Sequence, residues 1–316
     1  MRPAIHLAKE VGTRLGLREV LLGCLSLAWG ALPLGAQSRA PDAAVAELLA
    51  ADRAFAAASA RTTMLDGLVA MMADDVIVPA AGRGLVAGRA AVRAESARDT
   101  LAPTTRAEWA PVRGGISADA RHGFTFGVLT LHRADGSVVP GKYLAYWVKG
   151  ADGWRVAAYK RTRRPEGPFA PERAPALPPA LVAPTGDAAA VAAHRATLMQ
   201  AERDFAADAQ VMGIKAAFAK HGSADAMNLG GPANADFVIG ADAIAALVAQ
   251  GVPEGTSHVD WGPDTALVAS SGDLGITFGY ITPNAAPPGG GAKPRIPFFT
   301  IWRRAGPGAP WRYVAE

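Results

Sequence analysis

Residues 109–130 read Trp109-Ala110-Pro111-Val112-Arg113-Gly114-Gly115-Ile116-Ser117-Ala118-Asp119-Ala120-Arg121-His122-Gly123-Phe124-Thr125-Phe126-Gly127-Val128-Leu129-Thr130. Residues 261–282 align with them without a gap. Trp261, Pro263, Gly275, Thr277, Phe278, Gly279 and Thr282 face Trp109, Pro111, Gly123, Thr125, Phe126, Gly127 and Thr130. Seven identities in 22 positions, one a tryptophan and one a proline, exceed what composition alone gives. Working outward, Ala51-Asp52-Arg53-Ala54-Phe55-Ala56-Ala57 matches Ala201-Glu202-Arg203-Asp204-Phe205-Ala206-Ala207. Trp147 and Trp154-Arg155 parallel Trp302 and Trp311-Arg312. The repeat is as long as a domain, so it implies a duplicated domain and not a solenoid.

Between the copies, residues 164–186 contain prolines 165, 168, 171, 175, 178, 179 and 184. Proline withholds a backbone donor and favours extended backbone, so this stretch reads as a semi-rigid linker. The first copy then spans 42–163 and the second 187–316. In the first, Val45, Leu48, Leu49, Phe55 and Ala56 lie close to a helical stripe begun near Pro41-Asp42. A short helix is predicted over 63–72, a strand at 75–79, and a third helix opening at Gly88-Arg89-Ala90-Ala91-Val92. Strands follow at about 107–113, 122–133, 139–149 and 154–162, with Asp135-Gly136 and Asp152-Gly153 as hairpin turns. In the third of these, Tyr143, Ala145 and Trp147 take one face and Leu144, Tyr146 and Val148 the other. Helices followed by an antiparallel meander make an α+β domain with its helices on one sheet face.

These residues in this order resemble the nuclear-transport-factor-2-like superfamily, also called SnoaL-like or ketosteroid-isomerase-like. The resemblance is carried by the acid-Arg-x-Phe helix core, Ala73-Asp74-Asp75-Val76 and the Gly-Arg-Ala-Ala-Val helix start. It continues in Ser271-Gly272-Asp273-Leu274-Gly275-Ile276-Thr277-Phe278-Gly279 and in the closing hairpin with Gly141-Lys142-Tyr143, Trp147 and Gly153-Trp154. The first copy departs with Ala120-Arg121-His122-Gly123. The second departs with Ile296-Pro297-Phe298 and a Pro/Gly-rich insertion at 284–294. The resemblance implies two tandem cones, each with about three helices closing a curved, mainly antiparallel sheet over an apolar pocket. It also implies sheet-to-sheet pairing, here between the two copies of one chain.

Residues 1–36 read as a secretory signal peptide. Arg2, Lys9, Arg14 and Arg18 precede the apolar run Val20–Trp29, and Pro33, Gly35 and Ala36 end it. The apolar run is too short for a comfortable membrane span. Leu21-Leu22-Gly23-Cys24 resembles a lipoprotein cleavage box, but most of the apolar run follows Cys24. Cleavage near Ala36 would release a periplasmic or secreted chain with no cysteine and no stable membrane insertion, held by packing alone. It would also lower the net charge from +4 to +2. Residues 42–165 hold 17 bases and 12 acids, against 9 and 12 in residues 187–316. Lys160-Arg161-Thr162-Arg163-Arg164 accounts for much of the first excess and reads as a solvated strand end. No stacking-aromatic motif accompanies it, so no nucleic-acid partner is expected.

Asp52 and Glu202 occupy equivalent places in the apolar stripe of their helices. A buried acid beside a pocket acquires a raised pKa and can serve as general acid or base, while a surface acid would pair with Arg53 or Arg203. His122 and His132 share a strand parity, and His258 lies near Trp261. Histidine is the usual proton shuttle, which makes His122 a third catalytic candidate. The histidines lack metal-ligand spacing, and the Asp74-Asp75 pair could bind a cation but sits at a helix-to-strand corner that usually carries such acids in solvent, so neither a metal nor a cofactor is expected. Trp109, Tyr143, Tyr146, Trp147, Trp261 and Trp302 could line a pocket, or equally form core or an inter-domain face. Three functions follow as expectations. One is a binder of a small, largely apolar molecule; another is an isomerase-, cyclase- or hydratase-type enzyme using a pocket acid, Asp52 with Tyr143 or Tyr146. The third is a structural module with filled cones.

Overall fold

The computed structural model describes residues 35–99 and 103–316, with side chains from residue 40 onward. Most of the segment read as a signal peptide, Cys24 included, lies outside the described residues. The first copy opens with α1 (Gly35–Ser59) and α2 (Met64–Met71). Helix α1 runs upstream of its expected start and carries Pro41 inside it. Proline's preset φ suits a helix, and only one ladder donor is lost there. Thr63 caps α2 by accepting from the Asp66 N–H at 3.2 Å.

Next come β1 (Met72–Ala80), β2 (Gly84–Ala87), α3 (Arg89–Ser96), β3 (Arg106–Ile116), β4 (His122–His132), β5 (Val138–Gly150) and β6 (Gly153–Arg163). Their sheet order is β2-β1-β6-β5-β4-β3. All its pairs are antiparallel except β1 with β6. The second copy repeats this with α4 (Ala188–Met212), α5 (Ile214–His221), β7 (Gly222–Asn228), β8 (Val238–Ile239) and α6 (Ala241–Val248). Strands β9 (Val259–Val268), β10 (Leu274–Pro283), β11 (Ile296–Arg303) and β12 (Arg312–Ala315) complete it. Its sheet order is β8-β7-β12-β11-β10-β9, the same arrangement. The prolines shared by the repeats, Pro111 and Pro263, both sit on the terminal strand of their sheet, where a missing donor is tolerated.

The alternation along β5 sorts two cores. Tyr143, Ala145 and Trp147 face α1 and α2 and join Leu48, Val69 and Val156. Leu144 and Tyr146 face away and join a cluster containing Phe124 and Phe126 with Ile276, Phe278, Phe299 and Ile301 of the second copy. Burying a large apolar side chain contributes roughly 1.5–3 kcal/mol, so this shared layer is a substantial part of what holds the chain together.

Polar contacts fringe that layer. Arg113 donates to the Asp225 carboxylate at 2.5 Å, and Lys142 Nζ donates to the carbonyls of Asn234 and Asp236 at 2.6 and 2.8 Å. The loops before β4 and β10 exchange carboxylates. Asp273 accepts from the Ala118 N–H at 3.0 Å, and Asp119 accepts from Ser270 Oγ at 2.7 Å. The Ser-Gly-Asp segment of the resemblance thus clasps one copy to the other.

The proline-rich segment is pinned to the sheet and does not hang between the copies. Arg173 N–H donates to the Val112 carbonyl at 2.8 Å, Ala176 N–H to Gly114 at 2.9 Å, and Val182 N–H to Ala118 at 2.8 Å. It covers the free edge of β3, which satisfies strand groups that would otherwise need water.

Candidate functional site

Each helix following a copy boundary carries its acid inward. Asp52 on α1 and Glu202 on α4 are fully buried, so neither is a surface acid paired with Arg53 or Arg203. Asp52 accepts from Trp109 Nε1 at 2.8 Å and from Tyr143 Oη at 2.8 Å. Glu202 accepts from Trp261 Nε1 at 2.7 Å, Thr277 Oγ1 at 2.6 Å and Trp302 Nε1 at 3.0 Å. Burial pushes both carboxyl groups above their ordinary pKa, against the opposing pull of these donors. The paired identities of the repeat therefore converge in space as one buried motif built twice: an acid held by an edge-strand tryptophan.

The copies differ in what lies beside the acid. In the first, the Tyr143 and Tyr159 rings stack at 6.1 Å between centroids and occupy the space beside Asp52. Gly127 makes room, because a Cβ there would stand 2.2 Å from the Tyr143 ring. A cavity of about 250 Å³ remains under α2 and α3, walled by Met64, Leu68, Val92 and Tyr159, and Asp52 is not among its walls.

In the second, Phe298 stands where Tyr143 does and Glu316 where Tyr159 does, by strand register. A cavity of about 610 Å³ opens there. Phe205, Ile214, Phe218, Trp261 and Phe298 give it apolar walls, and Glu202, Asn228, His258, Thr300 and Glu316 give it polar points. The Phe205 ring packs edge-on against Phe218 and Trp261 at 4.7 and 4.8 Å between centroids. Asn228 Nδ2 and Thr300 Oγ1 donate to the Glu316 carboxyl at 3.3 and 3.4 Å.

One wall comes from the other copy. Lys160 on β6 reaches across the shared layer and donates to the Phe299 carbonyl at 3.2 Å, with Nζ 4.5 Å from the centre of the Phe299 ring. Burial lowers the proton affinity of Lys160 and raises that of Glu316, and each charge partly offsets the other's shift.

The remaining expected residues fall elsewhere. Of the six aromatic residues, Trp261 borders the larger cavity; Trp302 lies behind Glu202, and Trp109, Tyr143 and Trp147 belong to the filled cone. Tyr146 points to the opposite sheet face, where its hydroxyl lies 2.9 Å from His122 Nδ1. It therefore does not join Tyr143 beside Asp52. His122 borders a separate groove of about 400 Å³ with Asp74, Asp75, Arg89, Asp152 and Arg155. Burial lowers its pKa to about 4, so it is neutral near pH 7. Asp74 is paired with Arg89. Sequence reading missed Lys160 and Glu316. Extending the match of Trp154-Arg155 with Trp311-Arg312 by four residues would have set Glu316 opposite Tyr159.

Comparison with solved structures finds several that match part of this chain. A ketosteroid isomerase-like protein from Erwinia carotovora atroseptica SCRI1043 is 20% identical, with 39% of this chain and 97% of that chain covered and a TM-score of 0.32. A protein with a cystatin-like fold from Nostoc punctiforme PCC 73102 is 15% identical, with 39% and 92% covered and a TM-score of 0.30. Each match covers about two-fifths of this chain. No family model and no curated relative matches the chain.

Proposed function

We propose that this is an exported protein whose second copy binds a small, largely apolar molecule, while the first copy serves as its built-in partner domain. The observation that carries the reading is the contrast between the copies. The same buried acid motif faces two tyrosines in one cone and a cavity of about 610 Å³ in the other. Such a volume, with aromatic walls and a few polar points, is that of a small-molecule site. Export rests on the composition of residues 1–36. N-terminal sequencing of the protein from its own host tests that part, and a start near Gln37 is expected.

Binding is tested by titrating the neutral fluorophore N-phenylnaphthylamine into the wild type and Glu316→Tyr. The substitution installs the first copy's side chain and should abolish saturable binding. Equal binding by both proteins would remove the cavity as the site.

A second reading has one observation in its favour: Glu202 borders the cavity with its proton affinity raised by burial. A protonated or proton-sharing carboxyl there could move a proton beside a bound carbonyl. In that case Glu202→Gln would bind ligand as the wild type does yet fail to exchange the ligand's α-protons with deuterated water.

A further inference from the structure

The second cavity is not made by the second copy alone. Lys160 is a partly buried residue of the first copy that borders that cavity and donates to the Phe299 carbonyl. Two N–H bonds of an ammonium, or the lone pair of an amine, remain available there. Two carboxyl groups, Glu202 and Glu316, border the same space. An anionic ligand head would meet both acids. A neutral carbonyl group would meet a nucleophile and a proton donor.

We propose that Lys160 reaches across the sheet interface to hold carbonyl-bearing apolar ligands, aldehydes or ketones, as a reversible imine in the second copy's cavity. This rests on the reading of that cavity as the binding site.

The amine nitrogen forms a bond to the carbonyl carbon while the π pair moves to oxygen. That oxygen takes one proton from Glu316, and the nitrogen passes one back to it, giving the carbinolamine. Loss of water, with a second proton delivered by Glu316 and the last nitrogen proton returned to it, leaves the C=N bond. Atoms balance with one water released, and no oxidant or reductant takes part. Burial favours the neutral amine that the first step needs, and it favours the protonated carboxyl that the second needs. Lys160 also borders the smaller cavity of the first copy, but Glu316 does not, so the amine and its proton donor share only the second cavity.

The test treats the full chain with octanal at pH 7 in the presence of cyanoborohydride and locates the reduced adduct by peptide mass mapping. Lys160 should be labelled at least tenfold faster than exposed Lys215 or Lys293, since a pKa lowered to about 8 raises the neutral amine fraction more than a hundredfold. Glu316→Gln should slow that labelling and flatten its pH profile while leaving the surface lysines unchanged. Lys160→Met should lose the adduct, and the wild type should bind octanol, which has the chain but no carbonyl. Octanol binding without preferential Lys160 labelling would overturn the imine and leave the cavity reading standing. Failure of both octanol binding and Lys160 labelling would overturn both.

Discussion

Replacing Asp52 by alanine should destabilise the protein without touching its ligand site. The carboxylate is fully buried and satisfies Trp109 Nε1 and Tyr143 Oη at 2.8 Å each. Truncation orphans both donors inside the α1–sheet core, and each buried unsatisfied group costs about 1–3 kcal/mol. The carboxyl's own burial penalty is relieved at the same time, since burial holds its proton affinity above the ordinary value. The net loss should be about 2–4 kcal/mol. Tyr143→Phe removes one donor and leaves Asp52 its tryptophan, so about 1 kcal/mol is expected. In the double variant no orphan hydroxyl remains, and the cost should fall short of the sum by about 1–2 kcal/mol. Urea unfolding of the four proteins, followed by tryptophan fluorescence and circular dichroism, measures the cycle. Strict additivity, or an Asp52→Ala loss below about 0.5 kcal/mol, would refute the view that this acid is a structural acceptor sealed in a filled cone.

Three further outcomes follow from the same geometry. Asp273→Ala should cost about 2–4 kcal/mol, because it frees the Ala118 N–H and leaves the buried Arg303 guanidinium without its carboxylate 3.6 Å away; differential scanning calorimetry reads it, and an unchanged Tm would contradict the clasp. Stability should decline as pH falls from 6.5 towards about 4, because the unfolded chain takes up a proton on His122 that the native fold resists. His122→Gln should flatten that part of the stability–pH curve, and an identical curve would rule the histidine out as its source. Glu202→Ala should lower stability about as much as Asp52→Ala, yet alone of the two should change N-phenylnaphthylamine affinity, because only Glu202 borders the larger cavity; equal effects on affinity would show that the copies do not differ in role.

Much of the fold was legible in the sequence because its signals are local and doubled. The hairpins at Asp135-Gly136 and Asp152-Gly153, the alternation along Tyr143–Val148 and the repeat at 109–130 and 261–282 each reappear as turns, faces and strands. Strand β2 was missed because Gly84-Leu85-Val86-Ala87 is short and follows a glycine-rich turn, and its partner strand supplies the pattern. The linker's hold on β3 was also hidden, since prolines announce extended backbone but not the edge that backbone will cover.

The site was half legible. Equivalence of Asp52 and Glu202 with Trp109 and Trp261 marked the acid motif, but periodicity cannot say whether a cone is filled or open. That turns on Tyr159 against Glu316, four residues beyond the tryptophan and arginine matches already in view. Lys160 belonged to a basic run that reads as solvated, and only the packing of one sheet on the other turns it into a cavity wall. His122 and Tyr146 looked like pocket groups by residue type, yet their strand parity sends them to the seam between sheets.

Native mass spectrometry of the mature protein from its own host, before and after addition of N-phenylnaphthylamine and with a denaturing control, addresses the division of labour between the copies most directly. A single-chain mass carrying one apolar adduct that denaturation releases is expected for the wild type and not for Glu316→Tyr. A wild-type chain that stays bare with the probe present, or a variant that keeps the adduct, would contradict it.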